Sequence, residues 1–299
     1  MTTESVTQLT ADRIDVRSAD GTQIAVWVDG DGPALVMVHG SIADHTTFEP
    51  FVAVLRHHFT TFAMDRRGFG ASGDTTDYSI ERDFADVAAV VDAVAARTGE
   101  PVALWGHSYG ANCAMGGATL TGNIHHLVLY EPSLGLRYPP GSIENIEAAL
   151  ARVDHDGAIV AVLVDILEMT DDEIAALRAS PLWPLRLAAA PTIPRECHAE
   201  ENWVYQEGRF GRITAPGTHA GRLRQRPHRH RGHRARRSRD PRRARPRPRR
   251  TRPLRPQDRP RPGHCPHPAI HRRRRTNPVG QRVATLIRRW RTRALTRRA

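Results

Sequence analysis

The first 133 residues of the chain show two hydrophobic periodicities in alternation. Short apolar runs with the length of buried strands lie at residues 34–38, 59–64, 102–105 and 124–130. Between the second and third runs, residues 80–96 repeat apolar side chains at helical spacing. The residues that share this face are Phe84, Val87, Ala88, Val91 and Val94. Strands that alternate with helices at this spacing predict an α/β fold with a doubly wound, mostly parallel sheet.

Three further segments complete this N-terminal core, which we expect to span residues 1–133. Residues 13–19 and 22–29 predict two paired strands joined by a turn at Asp20-Gly21. Residues 48–55 predict a helix, and residues 65–72 form a glycine-rich loop directly after an apolar run. All these segments belong to one domain.

Residues 134–208 have a different character, because helical segments punctuated by prolines replace the strands. Candidate helices lie at residues 142–152, 157–169 and 171–179, with Thr170 as the cap of the last. This stretch predicts a helical lid over the core.

Residues 209–216 begin one more core strand, and no strand pattern follows them in residues 217–299. We therefore expect an irregular or disordered tail. We also expect the strand at residues 124–130 to keep an open edge near Leu127 and Leu129, with poor solubility as the consequence.

The net charge of the chain changes sign near residue 213, close to the point where the strand pattern ends. Residues 1–213 hold 14 arginines and 30 acidic residues, a net charge of −16, whereas residues 214–299 hold 30 arginines and only Asp240 and Asp258, a net charge of +28. There is no lysine. Three scattered cysteines favour a reducing compartment and indicate neither a disulfide framework nor a zinc site. Without an apolar leader or a membrane-length run, the front piece is expected to be cytoplasmic.

The run at 102–105 leads into Gly106-His107-Ser108-Tyr109-Gly110, followed by small residues. This pattern is typical of a strand that enters a tight turn and leaves as a helix, with a serine at the apex. Gly106 and Gly110 are expected where strand, helix and serine leave little room for a Cβ atom. A serine held in this way is a candidate nucleophile, because the helix start directs free backbone N–H groups at the same point.

Together with three other motifs, this turn resembles the α/β-hydrolase family over roughly the first two thirds of the chain. The other motifs are Val-His-Gly-Ser (38–41), Asp-Arg-Arg-Gly-Phe-Gly-Ala-Ser (65–72) and Leu-Val-Leu-Tyr-Glu-Pro (127–132). The resemblance implies that Ser108 is the nucleophile and that the backbone N–H groups of Ser41 and Tyr109 form the oxyanion hole. By the same resemblance, the 65–72 loop is a structural turn, and no metal or organic cofactor is needed.

The resemblance also narrows the chemistry to a small-molecule substrate with an ester-like or other carbonyl group. A serine at the turn argues against the dehalogenases and epoxide hydrolases of this fold, which use aspartate there. It favours esterases, thioesterases, lactonases, carbon–carbon bond hydrolases or cofactor-free haloperoxidases. His39 and Gly40 are expected to support the oxyanion loop, and His107 to pack. Glu131, at a strand end, is a candidate substitute acid, although a capping or ion-paired role suits it better.

The tail lacks a recognisable form of the acid and the Gly-His turn that the resemblance requires near the C-terminus. Reading degenerate codons one base later, residues 220–225 permit Leu-Ala-Gly-Ser-Asp-Ser, and residues 250–260 permit Gly-His-Gly-His-Phe-Ala-His-Lys-Thr-Asp-Pro. We hypothesise a shift of reading frame near Pro216. The chain would then be a hydrolase by ancestry with impaired activity.

An alternative is a hydrolase-like scaffold with an arginine-rich arm that binds nucleic acid. The tail has Trp290 as its one aromatic residue and no nucleic-acid-binding motif, which favours non-specific binding of polyanions over specific recognition. No membrane partner is expected, and the oligomeric state is left open.

Overall fold

A computed structural model of the protein describes residues 12–133, 137–203 and 208–220, all within one compact unit. Seven strands form one sheet in the order β1-β2-β4-β3-β5-β6-β7. The strands are β1 (Asp12–Arg17), β2 (Gln23–Asp29), β3 (Ala34–Val38), β4 (Thr60–Met64), β5 (Val102–His107), β6 (Ile124–Tyr130) and β7 (Gly217–Ala220). The predicted α/β fold with a mostly parallel sheet is confirmed, since only the pairings of β1 with β2 and of β2 with β4 are antiparallel.

Helices connect the strands and form the insertion after β6. The helices in the described residues are α1 (Glu49–Leu55), α2 (Ile80–Thr98), α3 (Tyr109–Gly117), α4 (Ser142–Ala151), α5 (His155–Ala161), α6 (Asp171–Arg178), α7 (Trp183–Ala189) and α8 (Ile193–Asn202). Thr170 caps α6 as predicted, in a capping box with Glu173. Within the described part of the chain, no helix has the length and apolar character that a membrane crossing requires.

The two faces of the sheet are covered by different helices. The predicted face of α2 is buried with α3 against one side, where Val36 and Leu104 belong to the same hydrophobic cluster. Gly116 and Gly117 permit this contact, because a Cβ atom there would lie 2.2 Å from the Phe84 ring and 2.7 Å from Val87. On the other face the Trp105 ring contacts Phe48 and Phe51. The sheet is therefore the middle of three layers.

The insertion has a hydrophobic cluster of its own, formed by α4 to α8. Ile146, Ile159 and Leu163 are fully buried in it. The core contributes Ile42, which follows the loop after β3. The predicted helix over residues 157–169 is shorter than expected, because α5 gives way to a π-helical turn at Val162–Ile166. The helical character of residues 137–203 is as predicted, whereas residues 134–136 and 204–207 lie outside the described residues.

The expectation that no strand follows residue 216 is wrong. β7 pairs in parallel with β6, with Leu127 opposite Gly217 and Tyr130 opposite Ala220. Leu127 and Leu129 are only 3% and 5% exposed, so the expected open edge at β6 does not exist. The four residues Gly, Thr, His and Ala carry no apolar alternation that predicts a strand, and β7 is defined by its backbone pairing with β6. Residues 221–299, the rest of the predicted tail, lie outside the described residues.

Candidate active site

Ser108 lies at the apex of the turn between β5 and α3, with φ 54° and ψ −125°. This is a strained conformation for a residue with a side chain, and such outliers cluster at functional sites. The backbone N–H of Ser108 donates to the carbonyl of Tyr130 at 2.9 Å, which ties the turn to β6. The Ser108 side chain does not cap α3, so its hydroxyl is not used by the helix that begins beside it.

Three glycines make this geometry possible, because the backbone segments around Ser108 lie too close together for further side chains. A Cβ atom on Gly106 would lie 2.4 Å from the Gly110 carbonyl oxygen, and one on Gly110 would lie 2.2 Å from the His39 carbonyl oxygen. A Cβ atom on Gly40 would lie 3.0 Å from the Ser108 Cβ and 3.5 Å from its Oγ. The loop after β3 therefore lies directly against the serine, which is where the sequence motifs predict an oxyanion hole from Ser41 and Tyr109.

His39 holds that loop through both ring nitrogens. Its Nδ1 donates to the Gly40 carbonyl at 2.7 Å, and its Nε2 accepts the backbone N–H of Arg66 at 3.0 Å. Burial and the neighbouring Arg66 charge lower the pKa of His39 to about 3, so the ring is neutral. These contacts hold the loop after β3 and leave His39 no free nitrogen to act as a base, and its support of an oxyanion hole stays a prediction.

Two other histidines near the motifs also have other partners. Burial lowers the pKa of His107, whose ring lies 5.3 Å from that of Tyr130. The His45 ring stacks on Trp27 of β2 with the centroids 4.2 Å apart, and its Nδ1 donates to Asp65. His45 and Asp65 are therefore already partners of each other, and Asp65 follows β4, which β3 separates from β5.

Glu131 follows β6 at φ 50° and is exposed. Its charge lies close enough to His107 to oppose the fall in the pKa of that ring. A role for Glu131 as a substitute acid stays a prediction.

Sequence reasoning missed the contacts of Arg66, which with Arg67 is the largest fully buried side chain in the described residues. The guanidinium donates from Nε to the His39 carbonyl at 3.0 Å and from Nη2 to the Gly40 carbonyl at 3.4 Å. It also donates to Asp83 of α2 at 3.1 Å and to Glu196 of α8. The 65–72 loop, which the sequence resemblance implies to be a structural turn, thus contacts the loop after β3 through the Arg66 side chain.

Helix α8 contributes two buried carboxylates at positions four residues apart, which places them on one face. Glu196 and Glu200 are 1% and 2% exposed. Glu200 accepts from Asn112 of α3 at 2.9 Å and from the Tyr138 hydroxyl at 2.5 Å, and burial raises its pKa. The four-residue spacing was the available signal, but nothing in the sequence marks this face as buried against charged partners.

Asp44, His45 and Asp65 bring possible metal ligands within 4.8 Å of one another. Both Asp65 oxygens already accept hydrogen bonds, one from the backbone and ring of His45 and the other from Trp27 Nε1 and the Ala71 N–H. Burial would raise the pKa of Asp65, but these bonds and the His45 charge lower it to about 2. The three side chains therefore form a hydrogen-bonded cluster, and their possible ligand atoms are not directed towards a cation.

The fold of the chain is similar to that of solved structures. An alpha/beta hydrolase from Sphaerobacter thermophilus DSM 20745 is 31% identical, with a TM-score of 0.61 over 69% of this chain and 80% of that chain. The enol-lactonase from Burkholderia xenovorans LB400 has 20% identity and a TM-score of 0.52 over 69% of this chain and 80% of that chain. At that identity the second similarity concerns the fold alone.

Among curated proteins, 101 residues are 34% identical to "Probable oxidoreductase EphD" of Mycobacterium tuberculosis (strain ATCC 25618 / H37Rv). The match spans 32% of this chain and 17% of that protein, so most of that protein has no counterpart here. The sequence profile of the alpha/beta hydrolase family matches residues 35–294, which extends the similarity beyond the motifs into the arginine-rich tail. This chain belongs to the α/β hydrolase family.

Proposed function

We propose that the chain is a serine hydrolase that acts on a small ester-like substrate through an acyl-enzyme at Ser108. A base removes the Ser108 proton, and the alkoxide attacks the carbonyl carbon. The negative charge on the carbonyl oxygen is stabilised by the N–H groups of Ser41 and Tyr109 while the alcohol leaves. Water then hydrolyses the acyl-enzyme and frees the serine.

One observation supports this proposal above the others, the conformation of Ser108 against the loop after β3. The residue has φ 54° at the start of α3, and the Cβ position of Gly40 lies 3.5 Å from its Oγ. A nucleophile at a helix start beside a second loop has backbone donors on two sides, as acyl transfer requires.

We further propose that turnover is slow, because the family's acid and histidine have no recognisable counterpart in the tail sequence. His39, His45 and His107 make other contacts, as described above. Loss of the base costs about a millionfold in turnover, judged by the subtilisin triad variants.

The experiment supplies the missing base from solution. The full chain reacts with p-nitrophenyl acetate over a series of imidazole concentrations, and peptide mass spectrometry locates the acetyl group. Imidazole hydrolyses this ester by itself, so Ser108→Ala provides the background rate. We expect acetyl-Ser108 to form slowly without imidazole and faster with it, and to be absent in the variant.

The two parts of the proposal have different refutations. If no acetyl group reaches Ser108 at any imidazole concentration, the chain is not a serine hydrolase. If the parent protein rapidly hydrolyses the ester without imidazole, and Ser108→Ala abolishes this activity, the base is present and the proposal of slow turnover is refuted.

The arginine-rich tail supports a second candidate, a non-catalytic scaffold that binds nucleic acid through residues 214–299 with their 30 arginines. RNA binding at physiological ionic strength that is selective over heparin would support this function. Binding that heparin abolishes equally would indicate polyanion attraction alone. The hypothesis of a shifted reading frame is tested by sequencing the coding DNA around codon 216, where stop codons in the shifted frame would eliminate it.

A further inference from the structure

The Gly40–Ser41 peptide is held by its carbonyl group. The Gly40 oxygen accepts from His39 Nδ1 at 2.7 Å and from Arg66 Nη2 at 3.4 Å. In a trans peptide the C=O and the following N–H point in opposite directions within one plane. The two donors therefore fix the direction of the Ser41 N–H, which points away from Arg66. A cation on the carbonyl also polarises the peptide and strengthens its N–H as a donor.

The same guanidinium contacts the side chain of Tyr109, the residue whose backbone N–H is the second donor of the proposed oxyanion hole. Its central carbon lies 4.7 Å from the Tyr109 ring centroid and 4.8 Å from that of Phe69. The Tyr109 hydroxyl lies 2.8 Å from the Tyr78 hydroxyl, which donates to Asp83 at 2.7 Å. Since Asp83 also accepts from Arg66, the side chain of Tyr109 is fixed by Arg66 directly and through its counterion.

We propose that Arg66 is the positioning residue of the oxyanion hole, and that Glu196 makes this position depend on the seating of lid helix α8. This inference rests on the proposed serine hydrolase function. Arg66 does not touch the reacting atoms; it acts through the Gly40–Ser41 peptide and the Tyr109 ring.

The planar fork of arginine is needed because four oxygen acceptors lie around one guanidinium. Nε and Nη2 serve the two backbone carbonyls, Nη1 serves Asp83, and Nη2 also serves Glu196. A lysine ammonium is one point with three donors and cannot reach both carbonyls and both carboxylates. Arg66→Lys therefore keeps the buried positive charge but loosens the Gly40–Ser41 peptide.

The neighbouring Arg67 offers a matched control. It is equally buried, on the same loop, and is bonded to Asp86 at 2.6 and 2.7 Å and to Asp20 at 2.9 Å. None of the hydrogen bonds found for its guanidinium in the described residues goes to the loop after β3. Arg67→Lys thus loses a comparable set of buried ion pairs without affecting the oxyanion hole.

The test measures Ser108 acetylation in imidazole for the parent, Arg66→Lys and Arg67→Lys, below the melting temperature of each. We expect Arg66→Lys to lower the maximal acylation rate about 10- to 100-fold with little change in the half-saturating substrate concentration, since loss of one oxyanion donor costs about 100- to 1,000-fold. Arg67→Lys should lower the melting temperature but keep the acylation rate.

If Arg66→Lys does not fold, Arg66→Gln combined with Glu196→Gln removes one charge of each sign, and we expect a similar loss of acylation rate. Equal acylation rates in the parent and the folded Arg66 variant, or equal losses in both lysine variants, would overturn this inference and leave the proposed function intact. Failure of the parent itself to acetylate at Ser108 would overturn both.

Discussion

Alanine at position 40 places one methyl group between the loop after β3 and Ser108, the proposed nucleophile. Its Cβ would lie 3.0 Å from the Ser108 Cβ and 3.2 Å from the His107 carbonyl oxygen, where ordinary contact begins at 3.4 Å. Ser108 must therefore move by about 0.4 Å. A misplacement of about 1 Å at a reacting centre can cost about 100-fold in rate, so we expect Gly40→Ala to slow Ser108 acylation about fivefold to tenfold.

The accompanying loss of stability should be small, because alanine suits the backbone at this position and the two overpacked contacts need shifts of no more than about 0.4 Å. We expect about 1 kcal/mol, which lowers the melting temperature by about 2–4 °C in a domain of this size. Gly122→Ala is the control, since a Cβ there meets nothing within 4 Å. The assay is acetylation by p-nitrophenyl acetate in imidazole. Acylation of Gly40→Ala at the parent rate would show that the loop does not abut the serine as described.

Three further changes probe the fold around the site. Gly110→Ala directs a Cβ at 2.2 Å from the His39 carbonyl oxygen; we expect a loss of about 3 kcal/mol in urea unfolding, and an unchanged midpoint would refute the close approach. Thr170→Ala removes the capping box and should cost about 1 kcal/mol, whereas a loss below a few tenths would mean that the cap is solvated. Burial raises the pKa of Glu200 above its ordinary value of 4.5, so its ionisation destabilises the folded state as pH rises through the folded pKa. The melting temperature of Glu200→Gln relative to the parent should therefore rise from pH 4.5 to neutral pH, and a flat difference would contradict the raised pKa.

Most of the core could be predicted because its signals are local. Apolar runs at Ala34–Val38 and Ile124–Tyr130 have the observed strand limits, and the periodicity of α2 identified its buried face. The turn at Ser108 was predictable because only glycine fits at Gly106 and Gly110, where an added Cβ atom would lie 2.4 Å or less from a backbone oxygen.

What could not be predicted depends on partners that are distant in the chain. The Arg66–Glu196 ion pair joins residues 130 positions apart, and no pattern near either one indicates the other. β7 could not be predicted from the sequence, because its four residues join the sheet through backbone pairing with β6. Before folding, charged side chains such as Glu196 and Glu200 are indistinguishable from those of a solvated helix face.

The separate hydrophobic cluster of the insertion has an evolutionary consequence. Because α4 to α7 supply most of this cluster and the core adds Ile42, these helices could be exchanged in evolution with little change to the sheet, whereas α8 also packs Ala199 against the core cluster. One requirement would limit such exchanges. Any transplanted insertion must bring an acidic residue to the place of Glu196, since Arg66 would otherwise be left with Asp83 as its one carboxylate among the described residues.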